Sequence, residues 1–242
     1  MTSNPKSETD LALDAGATRR LYPSMVDSPE LRWAFIRKVY AILTVQLLLT
    51  VAVAATVDLV RPIAHFLVKT RAGLGVDIAV FVMALAVLVA LRVYGKKHPV
   101  NYLLIGLFTV LMGLIVGVGC AYTEEKVLLE AWGLTIVIFM SLTVYTFWAA
   151  RRGYDFSFLG PFLFAALIVL LGFSLIQILH PLGKTSHMIF GIVGCIIFCG
   201  YIVHDTDELI KRHQYDEYLL AAIQLYLDAI NLFLNLITAI DS

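Results

Sequence analysis

The apolar run from Tyr218 to Ile240 carries five polar side chains, Gln224, Asp228, Asn231, Asn235 and Thr238, at spacings of four, three, four and three. At roughly 100° per residue these fall within a sector of about 80° on one helical face. An ionised group at bilayer depth costs roughly 2.5 to 3.5 kcal/mol even on insertion scales, so Asp228 marks a candidate site. A second acid, Asp205, precedes the polar turn that contains Lys211, Arg212, His213 and Gln214. In a tight helical hairpin centred near Asp216, Asp205 and Asp228 come to similar depths and can face one another. Two carboxyls that close do not both ionise cheaply; they share a proton and titrate as a coupled pair, which is a pH-dependent switch. Deprotonated, they offer hard oxygen ligands suited to calcium, and the amide oxygens of Gln224, Asn231 and Asn235 line the same face as further ion contacts. The plainer use of the same residues is hydrogen bonding between packed helices.

Several other groups bear on this pair. Arg92, on the same side as Asp205, can clamp it as an ion pair or serve as an interfacial anchor. Glu130 is either a third acid facing a polar interior or an interfacial residue in water. His204, next to Asp205, can tune its titration. Gly113 and Gly117 form a GxxxG that favours close helix approach, and Gln46 and Thr50, one turn apart, suit hydrogen bonds across helices. Cys120, Cys195 and Cys199 sit in apolar settings and make neither a disulfide framework nor a four-ligand zinc site. Walker, GxSxG, HExxH and CxxC motifs are missing.

The elements that must position these groups are membrane spans. Of 242 residues, 60% are hydrophobic and 15% charged, more oil than a soluble domain of this size buries. Seven segments approach the ~20 residues needed to cross a hydrocarbon core. They run from Val39 to Val57, Val76 to Tyr94, Asn101 to Tyr122, Leu128 to Ala150, Phe158 to Leu179, Met188 to His204 and Tyr218 to Ile240. The second spans only if Asp77 sits at one interface and Arg92 snorkels to the other. Residues 1–30 lack a periodic apolar face and read as a mobile cytosolic tail with no cleaved signal, ahead of a seven-helix domain over 31–242. Glu30 to Lys38 form an interfacial lead-in. Thirteen of the 18 Lys and Arg residues fall on the amino-terminal side of the alternating loops, which places the amino terminus in the cytosol. Formal net charge is zero, so nothing calls for a nucleic-acid partner.

The runs Phe35-Ile-Arg-Lys-Val-Tyr40, Lys97-His-Pro-Val-Asn-Tyr102, Leu129-Glu-Ala131, Asp205-Thr206 and Leu225-Tyr-Leu-Asp-Ala-Ile-Asn-Leu-Phe233 resemble the Lifeguard branch of the Bax inhibitor family, the transmembrane Bax-inhibitor-motif proteins. The stretches Leu21-Tyr-Pro23, Ser28-Pro-Glu-Leu-Arg-Trp33 and Thr146-Phe-Trp-Ala-Ala150 resemble its plant members. The resemblance implies an all-α polytopic fold of seven transmembrane helices, the last central and wrapped by the other six. It further implies a calcium leak across an intracellular membrane, the endoplasmic reticulum first, controlled by a pH-sensitive aspartate pair, with suppression of stress-induced cell death. By motif match the pair is Asp205 and Asp228, the latch arginine is Arg92 with Lys96 as alternative, and Glu130 is the acid of the LEA motif. One departure is His204, where the family usually has an aromatic residue.

Three functions follow as competing expectations. The first is the pH-gated leak, with calcium as transported ion and no cofactor. The second is a non-conducting scaffold that acts through membrane-protein partners in cell-death or stress signalling. The third, an intramembrane aspartyl protease, would use two aspartates to activate water. Its Gly-x-Gly-Asp signature is missing, since Asp205 follows Ile-Val-His and Asp228 follows Leu-Tyr-Leu; the chain reads as a non-enzyme.

Overall fold

The computed structural model describes residues 29–95, 97–180 and 183–241. Nearly all of the expected tail, the Leu21-Tyr-Pro23 stretch and Lys96 therefore lie outside the described residues, while Pro29 and Glu30 already belong to the first helix. The described residues form eight helices: α1 (Pro29–Leu59), α2 (Arg61–Lys69), α3 (Arg71–Tyr94), α4 (Val100–Cys120), α5 (Glu125–Arg151), α6 (Leu159–Leu179), α7 (Lys184–Lys211) and α8 (Tyr218–Ile240). All but α2 are long and apolar enough to cross a membrane.

Two helices outrun their apolar runs. α1 has 31 residues and α7 has 28; at 1.5 Å per residue each exceeds a hydrocarbon core about 30 Å thick by several residues. The lead-in before Lys38 is thus continuous with the first span. The sixth span does not end at His204: the helix runs on through Asp205 to Lys211, because the polar residues that interrupt the apolar pattern find partners inside the protein.

α8 is the centre of the bundle. Of its most apolar stretch 72% is buried, against 11% for α6. Its sheath consists of α7, α1, α5 and α4, whereas α3 packs mainly on α4 and α6 on α7. Four helices, not six, therefore form its principal sheath. Tyr226, Phe233, Leu225 and Leu232 on α8 are almost fully enclosed; Phe108 of α4 meets Tyr226 edge-on and Trp132 of α5 packs tilted against Phe233.

Small residues set the closest approaches. Gly113 and Gly117 let α4 settle on α1, since a Cβ at either would lie 2.8 Å from Val53 or Val57. Thr109 Oγ1 accepts from Gln46 Nε2 at 3.3 Å across this contact. Thr50 Oγ1 gives its proton to the Gln46 carbonyl, so at 2.7 Å it accepts from the Tyr226 hydroxyl and ties α1 to α8. On α7, a Cβ at Gly191 would meet the backbone of Ala239 at 2.6 Å and the Asn235 carbonyl at 2.8 Å. Gly191→Ala should therefore lower the melting temperature in detergent: overpacking costs about 1–3 kcal/mol, more than the roughly 1 kcal/mol gained in helix propensity. Gly172→Ala on α6, with open space around it, should show the gain alone.

Candidate functional site

The α7–α8 hairpin brings Asp205 and Asp228 together. Both are buried, at 7% and 5% exposure, and their carboxyl groups lie within hydrogen-bonding reach of each other. Asp228 Oδ2 is enclosed and meets no N–H or hydroxyl donor among the described residues. Its available partner is the other carboxyl, and two carboxyls hydrogen-bond only when a proton lies between them. Asp205 Oδ1 also faces His204 Nδ1 at 2.8 Å, and His204 Nε2 lies 4.0 Å from Glu208 Oε1. Gly160, at the start of α6, leaves room for the imidazole, since a Cβ there would stand 2.9 Å from Nε2.

Beyond the pair, the polar face of α8 leads away toward the opposite end of the bundle. Asn231 Nδ2 donates to the Leu227 carbonyl, Asn235 Nδ2 to that of Asn231 and Thr238 Oγ1 to that of Leu234. With the amide N–H groups held by their own helix, the side-chain oxygens turn outward; Asn235 Oδ1 rests where a Cβ of Gly194 would be. Asn231, Asn235 and Thr238 line a cavity of about 230 Å³ between α6, α7 and α8. Thr238 also borders a polar cavity of about 340 Å³ at that end, with His187, Lys184 and Asp241. Gln224 is half-buried and lines neither. Carboxylates followed by amide and hydroxyl oxygens make a donor set suited to a hard cation such as calcium.

Two expected participants stand elsewhere. Arg92 is exposed on the last turn of α3, and the basic group at Asp205 is His204. A cation on the bundle's outer face stays hydrated, so the Arg92 clamp is not made in this conformation. Glu130 does not face the interior: its side chain is 49% exposed, 3.8 Å from Lys126 one turn away, because near the start of α5 it is still within reach of the interface.

What the sequence reading passed over is a clamp at the amino-end side of α8. Asp207, two residues after Asp205, is more deeply buried than either member of the pair. It forms an ion pair with Lys211, 2.5 Å away and itself only 8% exposed, and accepts from the Phe156 backbone N–H at 3.2 Å. Lys211 also donates to the Tyr154 carbonyl. Arg212 reaches both oxygens of Asp155 at 3.3 Å. From α1, Arg32 donates to the His213 carbonyl at 2.6 Å and lies over the Tyr215 ring, while Lys38 covers that of Tyr218. The α5–α6 and α7–α8 loops are thereby fastened over the acid pair. The i,i+4 spacing of Asp207 and Lys211 was the available sequence signal.

Asp155, in the loop, is held below the usual carboxylate range, first by the Ser157 backbone N–H and further by the Ser157 hydroxyl, Lys211 and Arg212. A depressed folded-state value means its contribution is present above the unfolded value of about 3.9 and is lost only as pH falls through the lower folded one. At neutral pH this contact stays closed.

Known proteins are similar in sequence along most of the chain. "Protein LIFEGUARD 4" of Arabidopsis thaliana is 62% identical over 223 residues, 92% of this chain and 90% of the relative. "Bax inhibitor 1" of Schizosaccharomyces pombe is 36% identical over 207 residues, 86% and 76% of the two chains. "Golgi anti-apoptotic protein" of vaccinia virus is 37% identical over 215 residues, 88% and 87%. With a family profile matching residues 32–242, the chain belongs to the family described as "Bax1-I: Inhibitor of apoptosis-promoting Bax1".

Proposed function

We propose that this protein is a pH-sensitive calcium leak of an intracellular membrane, the endoplasmic reticulum first, and that it suppresses stress-induced cell death. The observation that carries the leak is the buried contact of Asp205 with Asp228, the latter on the same polar face of α8 as Asn231, Asn235 and Thr238, which line a largely apolar cavity further along the helix. With one proton between them the two acids are held together and close the path beneath the clamped loops. Loss of that proton leaves two negative charges in a buried space, where they repel each other and attract a divalent cation. The ion is then handed between Asp228, Asn231, Asn235 and Thr238. The amino terminus faces the cytosol, so the clamped end is the cytosolic one. The cell-death role rests on relatives that are named for it.

The test is calcium flux from liposomes that hold the purified protein, followed against pH. Flux identical for wild type and Asp228→Asn at every pH removes the mechanism. A scaffold would behave differently: deleting residues 1–30 would abolish cell protection and leave flux unchanged. For the leak, the same deletion is expected to preserve both flux and protection, measured in one expression system.

A further inference from the structure

The link between α1 and α3 is itself a helix. Pro62, in the first turn of α2, suits a helix start because its missing N–H has no intrahelical partner there. Ala64 and Leu67 are buried against the neighbouring helices. Ile63 and Phe66 are 40% and 43% exposed. His65 and Lys69, one turn apart, are exposed as well, and Lys69 Nζ lies 4.9 Å above the Tyr122 ring. At roughly 100° per residue the docked pair, the exposed apolar pair and the basic pair occupy three separate sectors, with the apolar one about 100° from the docked one and about 110° from the basic one, and about 150° between the docked and basic ones. Val68 is the exception, exposed between the basic and docked sectors.

This helix has a set orientation. A Cβ at Gly73 would fall 2.1 Å from the Phe66 carbonyl and 2.5 Å from that of Leu67, so the first turn of α3 abuts the last turn of α2. Thr70 completes the corner: its hydroxyl caps α3 by accepting from Gly73 N–H at 2.9 Å, and its own N–H donates to the Phe66 carbonyl at 3.3 Å. The location is set by connectivity, because α2 joins the ends of two spans and so lies at the membrane surface. Its apolar face continues the exposed apolar surface of those spans, with Leu59 79% and Leu74 60% exposed on either side.

We propose that α2 is an interfacial membrane-binding element. Ile63 and Phe66 insert at the boundary between headgroups and acyl chains of the phospholipid leaflet on this side, while His65 and Lys69 stand at the level of the lipid phosphates. A helix with separate apolar and cationic faces binds the interface in this way, through buried apolar area and attraction to phosphate. The bundle supplies the third face, so the element holds the α1–α3 pair at a fixed depth. The proposal is independent of the calcium leak.

The test uses the full chain in phospholipid vesicles with Cys120, Cys195 and Cys199 replaced by alanine. A nitroxide is attached in turn to Ile63→Cys, His65→Cys, Phe66→Cys and Lys69→Cys, and collision with oxygen is compared with collision with a water-soluble nickel chelate. Expected is a several-fold excess of oxygen over nickel at 63 and 66, and the reverse at 65 and 69. Nickel access at 63 and 66 equal to that at 65 would place the helix in water and overturn the proposal. Exclusion of both agents at 63 and 66 would show a covering protein surface, such as a second copy, and overturn it equally. Should the cysteine-free chain fail to fold, a photoreactive benzoylphenylalanine at Phe66 in the chain with its own cysteines gives the same decision. A phospholipid adduct supports the proposal, and a protein adduct or none overturns it.

Discussion

Asp228→Asn should flatten the pH dependence of calcium flux and hold it at the low level that the wild type reaches only in acid. The asparagine keeps the shape of the acid and donates a hydrogen bond to Asp205 without needing a proton, so the pair stays closed. It also removes one of the two charges that would draw a divalent cation inward. A charge-assisted contact is worth about 1.5–3 kcal/mol, so flux at the alkaline end should fall by roughly ten- to a hundredfold. Asp205→Asn should flatten the curve too, with the difference that His204 loses its carboxylate partner. Arg92→Gln serves as the control, because an exposed side chain outside the pair leaves the curve where it is. Stopped-flow measurement with an entrapped calcium dye, at matched protein incorporation, separates these outcomes. A steep pH curve in Asp228→Asn would mean that protons act somewhere else.

The largest loss of stability is expected from Asp207→Ala. Asp207 and Lys211 form a pair with side-chain exposures of 2% and 8%, and removing one partner of a buried pair costs about 3–5 kcal/mol because the other charge stays buried alone. The variant also takes away the acceptor for the Phe156 N–H, which frees the α5–α6 loop. Thermal unfolding in detergent should show a large drop, while Glu208→Ala, whose side chain is 27% exposed, should change little. The double variant Asp207→Leu with Lys211→Met should recover much of the loss, since no isolated charge is left to desolvate. If the double variant is as unstable as Asp207→Ala, the loss comes from the Phe156 contact and not from the orphaned lysine.

Asp207 of the clamp stands two residues after Asp205 of the pair on α7, yet clamp and pair differ in how visible they are in sequence. Asp228 stands out because every neighbour along the chain is apolar. Asp207 sits in the mixed run Asp205-Thr-Asp-Glu208, which reads as the wet end of a span. Its burial follows from the α5–α6 loop folding over it, and that loop is some 50 positions away in the chain. Glu130 shows the opposite case: a family motif marks it, and its place near the start of α5 leaves it in an ion pair with Lys126 on the exposed face.

From sequence alone came the seven spans, the one-sided polar ladder and the limits of α8, whose observed range, Tyr218 to Ile240, coincides with the apolar run. These are sums or periodicities over consecutive residues, and partition into lipid depends on such local sums. The continuation of α7 past His204, the fastening of both loops by Asp207, Lys211 and Arg212, the docking of α2 and the outward placing of Arg92 were decided by the tertiary structure. Each depends on whether a polar group finds a partner from a distant part of the chain. That balance between desolvation and a specific contact exists only once the helices are packed.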